Sequence, residues 1–261
     1  MRVMVCKTII PLAGSALAAA LLLCNSLCIA APEEIQVYLD DKEDPGVMSI
    51  DWHNNYVFSG RTRPDYVGEK PPNHLYRLTP ELNYGVSQVF ELGAYLLTSR
   101  DSSGQWAADG AKVRLKYIAP HMEEGVFYGL NLEVGQQNHA LSQDPWGAQL
   151  KGIIGWRHGA WTLGYNMNLD TALSPRGGPV TSESDLKINY AVTHRTQMGI
   201  ESYNELGPSS HPHAFNADSK VLYAVLDTSF HALDINMGVG RGLTHPSDMW
   251  TLKMIIGTHF Q

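Results

Sequence analysis

Three cations at alternating positions are the side chains best arranged for chemistry in this chain. Lys112, Arg114 and Lys116 are separated from one another by single apolar residues, and Glu91 and Glu133 lie in the alternating segments before and after them. Successive side chains of a strand point to opposite faces, so the three cations would share one face. Two roles are open: ion pairs with Glu91 and Glu133 that stiffen the interior, or a basic stripe that attracts anionic solutes, as charged rings do in selective pores.

Signatures of catalysis and metal binding are sparse. Asp51 and His53 would share one face of a strand, where a hydrogen bond inside the fold accounts for them. His211 and His213 could bind a transition metal, but no third ligand accompanies them, and a proline-stiffened loop explains the motif. The sequence also has no glycine-rich phosphate loop, no calcium repeat and no His-x-Ser-Asn run like that of outer-membrane phospholipases. We therefore assign no catalytic residue, no metal ligand and no cofactor.

The segments that must position these residues recur with a regular rhythm. After residue 45, about twelve short segments alternate apolar with polar side chains, and the connectors between them alternate between long and short. Period-two alternation is typical of strands whose two faces meet different solvents. Two classes of connector are typical of a hairpin barrel with unlike rims. We predict an all-β protein, an antiparallel up-and-down transmembrane β-barrel of about twelve strands, with strands near residues 47–58, 74–84, 88–99, 111–117, 125–136, 146–156, 161–169, 186–192, 197–205, 222–230, 233–239 and 250–260.

A barrel of this kind determines which way each stripe of side chains faces. A charge on the lipid face costs about 2–4 kcal/mol at the bilayer midplane, so the polar stripe, with the three cations and the two glutamates, should face the lumen. Pro80 cannot donate to a ladder, so we expect a β-bulge in the second strand. Aromatic rings favour the headgroup level, and a girdle is predicted at the short-turn ends of the strands from Tyr84, Phe90, Tyr117, Trp156, Trp161, Phe230 and Phe260.

The N-terminus predicts export. Arg2 and Lys7 precede an apolar run over residues 9–23, and small residues at Cys28 and Ala30 favour cleavage before Ala31. Because the run is shorter than the ~20 residues that a spanning helix needs, a removed signal peptide is favoured over a retained helix. The predicted organisation is a signal peptide over residues 1–30, an acidic periplasmic lead-in over 31–46 at the mouth of the barrel, and the barrel over 47–261.

Composition limits the chemistry and the partners. All three cysteines lie in the leader, so the mature chain would contain no disulfide and no cysteine-bound metal. The chain has 19 basic and 26 acidic residues and a formal charge of −7, and loss of Arg2 and Lys7 with the leader changes that charge to −9. Nucleic acid is therefore not an expected partner.

The last strand carries the most specific sequence element. It presents an alternating apolar stripe that resembles the C-terminal assembly signal of Gram-negative outer-membrane β-barrels, formed here by Trp250, Leu252, Met254, Ile256 and Phe260. The chain departs from that pattern at Gln261, which makes the terminal aromatic the penultimate residue. The resemblance implies an outer-membrane location reached through the periplasm, with outer-membrane lipids and the barrel-assembly machinery as partners.

Three functions remain open from the sequence. The leading hypothesis is a porin-like channel or diffusion facilitator, whose polar lumen would pass small solutes without chemistry. The alternatives are a membrane-embedded hydrolase acting on lipid or peptide, and a structural or adhesive barrel without transport. A secreted β-sandwich or a lipocalin-like barrel would also alternate, but its loops would not keep two length classes so regularly.

Overall fold

The computed structural model describes residues 33–174 and 177–260, which form one closed barrel. Consecutive strands pair antiparallel, and the first strand pairs with the last to close the ring. The predicted twelve-stranded, all-β up-and-down barrel is thus confirmed. The strands are β1 Met48–Ser59, β2 Tyr76–Gly85, β3 Phe90–Arg100, β4 Trp106–Ile118, β5 Gly125–Gln137, β6 Trp146–His158, β7 Trp161–Ala172, β8 Thr181–Ala191, β9 Thr196–Pro208, β10 Lys220–Phe230, β11 Leu233–Gly242 and β12 Trp250–Phe260.

Two features of the sequence lie at the limits of this description. The predicted signal peptide, with its three cysteines and its cleavage site at Ala31, lies outside the described residues, as does Gln261. Within residues 33–174 and 177–260, no helix is long and apolar enough to cross a membrane.

The connectors define two rims that differ in loop length. The short-turn rim contains residues 86–89, 119–124, 159–160, 192–195 and 231–232. The long-loop rim contains residues 60–75, 101–105, 138–145, 173–174, 177–180, 209–219 and 243–249. The alternation of lengths fails once, because the β3–β4 connector on the long-loop rim is shorter than the β4–β5 connector on the other rim. Asp101 closes that turn tightly, since its Oδ1 accepts hydrogen bonds from the backbone N–H of Ser103 (2.9 Å) and Gln105 (3.0 Å).

Two strands begin earlier in the chain than the sequence predicts. β4 starts at Trp106, where a polar loop is expected through Gly110, and β8 starts at Thr181 instead of near Leu186. The register between β3 and β4 shifts after Leu97, which pairs with Gly110 of β4. Gly110 adopts a φ of 149°, a conformation that glycine tolerates. The irregular position looks like a loop in sequence, but the ladder resumes beyond it.

Pro80 does not produce the predicted bulge. It lies opposite Trp52 in an uninterrupted register with β1, and the register with β3 is the same on both sides of it. On the β3 side, pairing is interrupted at Thr79 and Pro80 and resumes at Glu81. The missing proline N–H therefore removes a ladder bond without adding a residue to the strand.

The outward face of the wall is a continuous apolar band. Its members, such as Val113 and Tyr128, are 61% and 57% exposed. An exposed apolar surface of this extent would promote aggregation in water but is matched to a hydrocarbon solvent. The residues predicted for the short-turn girdle lie on strands at that rim, and the structure adds a second aromatic belt near the long-loop rim, formed by Tyr56, Phe58, Tyr76, Trp106, Trp146 and Trp250.

The inward face is polar and charged. Buried carboxylates, amides and cations line the lumen from every strand except β11. Among the described residues, the buried apolar cluster consists of Tyr38, Ile118, Phe127 and Ile153, with Leu39 packed against it. Two of these five residues precede the barrel in sequence. The core of this protein is therefore a hydrogen-bonded polar interior, to which residues before β1 contribute.

The closing strand offers a test of the assembly signal. Ile256 faces outward between Trp52 of β1 and Ile235 of β11, and Phe260 lies opposite Met48 at the rim. Replacing Ile256 and Phe260 with Asp should lower the amount of folded, heat-modifiable protein in outer-membrane fractions, because charges then face lipid on the strand that leaves no open edge. Phe260→Ala should have a smaller effect in the same direction.

Leu243→Asp provides the control, because Leu243 is exposed in the β11–β12 connector and lies outside the strand ladder. Equal folded levels in the Ile256/Phe260 double variant and in this control would contradict a role for the last strand in assembly.

Candidate functional site

Arg114 is the centre of a buried ion-pair network on the lumen wall. Its Nε donates to Glu81 Oε1 (2.6 Å), and its Nη2 donates to Glu91 Oε1 (2.7 Å) and to Asn83 Oδ1 (2.7 Å). All four side chains are nearly inaccessible to solvent. A guanidinium group presents several donors in a fixed geometry, so one residue can neutralise carboxylates from β2 and β3 together.

The network continues to both sides of Arg114. Lys116 Nζ lies 3.1 Å from Glu91 Oε1, and His53 Nε2 lies 2.9 Å from Glu81 Oε2. Gly93 makes room for the arrangement, because a Cβ atom there would lie 2.6 Å from Arg114 Cγ. Asp51 and His53 do not contact each other's partners: His53 pairs with Glu81, whereas Asp51 accepts a hydrogen bond from Asn83.

All five lumen candidates from the sequence face the interior, but the three cations do not all pair with Glu91 and Glu133. Lys112 forms its ion pair with Glu33, which precedes the barrel, and Glu133 accepts a hydrogen bond from Asn131 (2.8 Å). Glu81 and Glu33 are ion-pair partners, of Arg114 and Lys112 respectively, that the sequence analysis did not assign. Alternation places Glu81 on the inward stripe, so that partner has a signal in the sequence. Nothing in the sequence pattern places Glu33 beside a residue in the middle of β4.

A second network lies on the opposite side of the lumen. Glu201 pairs with Lys187 (Nζ to Oε1, 3.0 Å) and with Lys253, and Lys187 also pairs with Asp227 (2.7 Å). Tyr203 donates to the same Glu201 carboxylate (2.6 Å). These contacts join β8, β9, β10 and β12 across the interior, where removing one partner of a buried pair is costly.

The lead-in, residues 33–46, runs inside the barrel. The sequence predicts this segment at the mouth of the barrel, but Val37 and Tyr38 are only 2% and 4% exposed. Glu33 reaches the half of the lumen nearer the long-loop rim, which is called the upper half below, and contacts Lys112 and Gln137 there. The reason for the difference is chemical: an acidic segment meets a lumen wall with unneutralised cations, and its burial completes their pairing.

Tyr38 is the main contact of the lead-in with the wall. Its backbone N–H donates to Asn166 Oδ1 (2.7 Å), and its carbonyl oxygen accepts from Asn166 Nδ2 (2.9 Å), so one side chain imitates a strand partner. Its hydroxyl contacts Glu34 and lies 2.9 Å from the hydroxyl of Tyr95. Lys151 Nζ lies 4.1 Å from the centre of its ring, within the range of a cation–π interaction.

The lower part of the lead-in is attached to the short-turn rim. Asp40 pairs with Arg157 and His121, and Glu43 Oε2 lies 3.0 Å from His259 Nδ1. At the entrance to β1, the backbone N–H of Gly46 donates to the carbonyl oxygen of Gly85 (2.8 Å). The segment thus enters the lumen at the short-turn rim and ends, in the described residues, above the middle of the barrel.

Above the lead-in, an open vestibule of about 440 Å³ faces the long-loop rim. Its outer wall includes the β1–β2 connector, where Arg61 Nη2 donates to Glu69 Oε1 (2.8 Å). Burial raises the pKa of the Glu69 carboxyl, but the hydrogen bonds from Arg61 outweigh it, so the net pKa is lower than usual. Asp248 in the β11–β12 connector has its pKa raised by burial, which outweighs the effect of Arg77.

The His211 and His213 motif lies on the long-loop rim. His213 Nδ1 is 2.9 Å from Asp218 Oδ1, whereas His211 contacts the hydroxyl of Ser210. Among residues 33–174 and 177–260, no group of three His, Cys, Asp or Glu side chains is arranged to hold a metal ion.

No family model and no curated protein sequence matches this chain. Several solved structures resemble its barrel. The COG4313 outer membrane channel from Pseudomonas putida F1 aligns with a TM-score of 0.60 at 12% identity, over 87% of this chain and 100% of that chain. The KdgM porin in complex with disordered oligogalacturonate gives a TM-score of 0.52 at 9% identity (82% and 98%), and the NanC porin gives 0.51 at 10% identity (81% and 99%). The resemblance to porin-like outer-membrane barrels is confirmed at the level of the fold.

The ion-pair geometry predicts how the three candidate cations behave when neutralised. Changing Lys112, Arg114 and Lys116 together to Gln should lower the free energy of unfolding, because losing one partner of a buried pair costs about 3–5 kcal/mol. The reversal potential in a salt gradient should change little, since these cations are already neutralised by carboxylates. Urea unfolding and bilayer recordings on the same preparation check both statements.

A matched control neutralises three exposed cations, Arg63, Arg100 and Arg195, and should leave stability unchanged. A shift of the reversal potential towards cations, without loss of stability in the Lys112/Arg114/Lys116 variant, would instead support the basic stripe as a determinant of selectivity.

Proposed function

We propose that this protein is an outer-membrane channel for small solutes, in which the lead-in forms the constriction. The observation that carries the proposal is that the lead-in fills the lumen at the level of Tyr38. There the open vestibule ends on a segment that precedes the barrel, while the closed wall continues around it. Displacement of the segment would join the vestibule to the short-turn rim without any change in the wall.

The contacts of the lead-in suit a removable element. Among the described residues, its backbone-to-backbone hydrogen bonds to the wall occur only near Gly46, at the entrance to β1. Deeper in the lumen it is held by side chains: Asn166 on Tyr38, Lys112 on Glu33, and Lys253 on the carbonyl oxygen of Ile35 (3.1 Å). Such contacts exchange with water more readily than a strand ladder, whose hydrogen bonds form cooperatively along the wall.

The hydrolase alternative has less support. In the described part of the chain, the hydrogen bond between a serine and a histidine side chain joins Ser210 and His211, which are neighbours in an exposed connector. No carboxylate contacts that imidazole among those residues, whereas a serine nucleophile needs a base oriented by a third group. His53 is committed to Glu81 inside the ion-pair network.

The membrane orientation is part of the proposal. The apolar band and its two aromatic belts support a bilayer location, and the neighbours in fold are outer-membrane proteins. Short turns face the periplasm in barrels of this type, so the lead-in would enter the lumen from the periplasm and the vestibule would open to the exterior.

A disulfide can test whether the lead-in closes the channel. A Cβ atom on Gly164 would overlap Leu39 Cδ2 and would lie 3.7 Å from Leu39 Cγ, so Leu39→Cys and Gly164→Cys are the substitutions best suited to linking the lead-in to β7. The three native cysteines lie within the predicted leader. The oxidised double variant should show low, steady conductance in planar bilayers, and reduction should raise the conductance or the frequency of openings.

The two single-cysteine variants control for the substitutions themselves and should not respond to the reductant. Equal conductance in the oxidised and reduced double variant would contradict a closing role for the lead-in. Absence of conductance in every form, including a variant in which residues 33–42 are deleted, would contradict the channel function.

A further inference from the structure

Four carboxylates line one wall of the vestibule without a cationic partner in the described part of the chain. Asp170 on β7, Glu183 and Asp185 on β8, and Glu205 on β9 all border the cavity. In the described residues, no Lys, Arg or His nitrogen lies within 4.0 Å of any of these carboxylates, in contrast to the paired acids around Arg114 and Lys187. Their hydrogen-bond donors are neutral: Gln149 for Asp170 (2.8 Å), Asn168 for Glu183 and Asp185 (3.2 and 2.8 Å), and the backbone of Ser219 for Glu205 (3.3 Å).

The register of the sheet brings like charges together. Glu183 lies directly opposite Glu205, and Asp170 lies opposite Thr181, two residues from Glu183 on the same face. Like charges directly across a strand pair are destabilising, and at 8% exposure Glu183 is poorly screened by water. A wall built in this way gains free energy when a cation enters the vestibule.

Asp185 supplies an independent indication that this wall can accommodate a ligand. Asp185 borders the cavity, yet only 1% of its surface is exposed. Asn168 donates to Oδ2, while Oδ1 has no hydrogen-bond donor among the described residues. A buried carboxylate oxygen without a donor is costly, and native structures normally satisfy such atoms with a protein group, water or a bound ion.

The nearest cations are directed elsewhere. Lys151 also borders the vestibule, but its Nζ lies over the ring of Tyr38, and Lys220 Nζ donates to the backbone carbonyl of Glu205. Among the residues that the structure describes, nine Asp and Glu side chains and four Lys and Arg side chains line the vestibule. Its field therefore attracts cations towards the unpaired wall.

Resting on the proposed channel function, we infer that this wall is a binding site for organic cations that carry several amino groups. Its members are distributed over three strands, and two residues along one strand span about 6.6 Å. Among residues 33–174 and 177–260, they do not converge as ligands of one metal ion. A flexible polyamine can place one ammonium group at Glu183 and Glu205 and another at the Asp185 carboxylate.

Spermidine binding to the full mature chain in detergent, measured by calorimetry, tests the site. The wild-type protein should bind spermidine, and the Glu183→Gln, Asp185→Asn double variant should bind it at least ~10-fold more weakly, because the amides keep the shape and remove the charge. Asp185→Asn alone should show a smaller loss. Glu123→Gln, which removes one charge from the exposed β4–β5 turn outside the cavity, should bind like the wild type.

Each outcome separates the site from the channel function. Equal affinity in the double variant and in Glu123→Gln, or absence of binding by the wild type, would overturn the site. Displacement of spermidine by an equal concentration of Mg²⁺ would overturn the organic-cation assignment.

Bilayer recordings address the channel separately: spermidine on the long-loop side should block the current of the wild type more than that of the double variant. Conductance without binding rejects the site alone, and binding without conductance in any variant rejects the channel alone.

Discussion

Neutralisation of charge inside a closed wall is the constraint on which the rest of this structure depends. A barrel in lipid must pair every backbone group within the ring, and its side chains then divide into an apolar outside and a polar inside. The inside of a twelve-stranded barrel is narrow, so cations such as Arg114 and Lys253 cannot stay fully hydrated. They are accommodated by carboxylates from neighbouring strands and from across the lumen, at distances of 2.6–3.1 Å in the Arg114 network. The polar interior thereby takes the structural role that an apolar core has in a soluble domain.

The lead-in belongs to the same balance of charge. It carries Glu33, Glu34, Asp40, Asp41 and Glu43, and it meets Lys112, Lys116 and Arg157. When this segment enters the lumen, Glu33 pairs with Lys112 and Asp40 pairs with Arg157, which offsets the cost of removing these charges from water, and the backbone of the segment must also find partners. Asn166 provides such a partner for Tyr38, and Gly164 leaves the space in which Leu39 packs. Local features of β7 thus explain why the segment is held at that height.

The sequence predicts the wall well and the contents of the lumen poorly. Alternation determines which side chains face inward, and it correctly orients Glu91, Arg114 and the other lumen candidates, because a shift of one residue would turn every charge towards lipid. Irregularities are harder to predict: Gly110 resembles the end of a loop, and Pro80 resembles a bulge, whereas both are tolerated within continuous strands. The position of Glu33 has no periodic signal at all, because its contact with Lys112 depends on the three-dimensional course of an irregular segment. The short connector at residues 101–105 likewise depends on the side chain of Asp101.

The location of the open space follows from the charge of the segment that fills the remainder. The carboxylates of the acidic lead-in are attracted to the side of the lumen that carries Lys112, Arg114 and Lys116, where Glu33 pairs with Lys112 and Lys116 donates to the backbone carbonyl oxygen of Asp41. The same carboxylates would be repelled by Asp170, Glu183 and Asp185 on the facing part of the wall. The vestibule therefore remains open beside these acids, and the residues that keep the lead-in out are the ones left facing the open space. In this arrangement, the filling of the lower lumen and the proposed preference of the upper lumen for cations have one electrostatic origin.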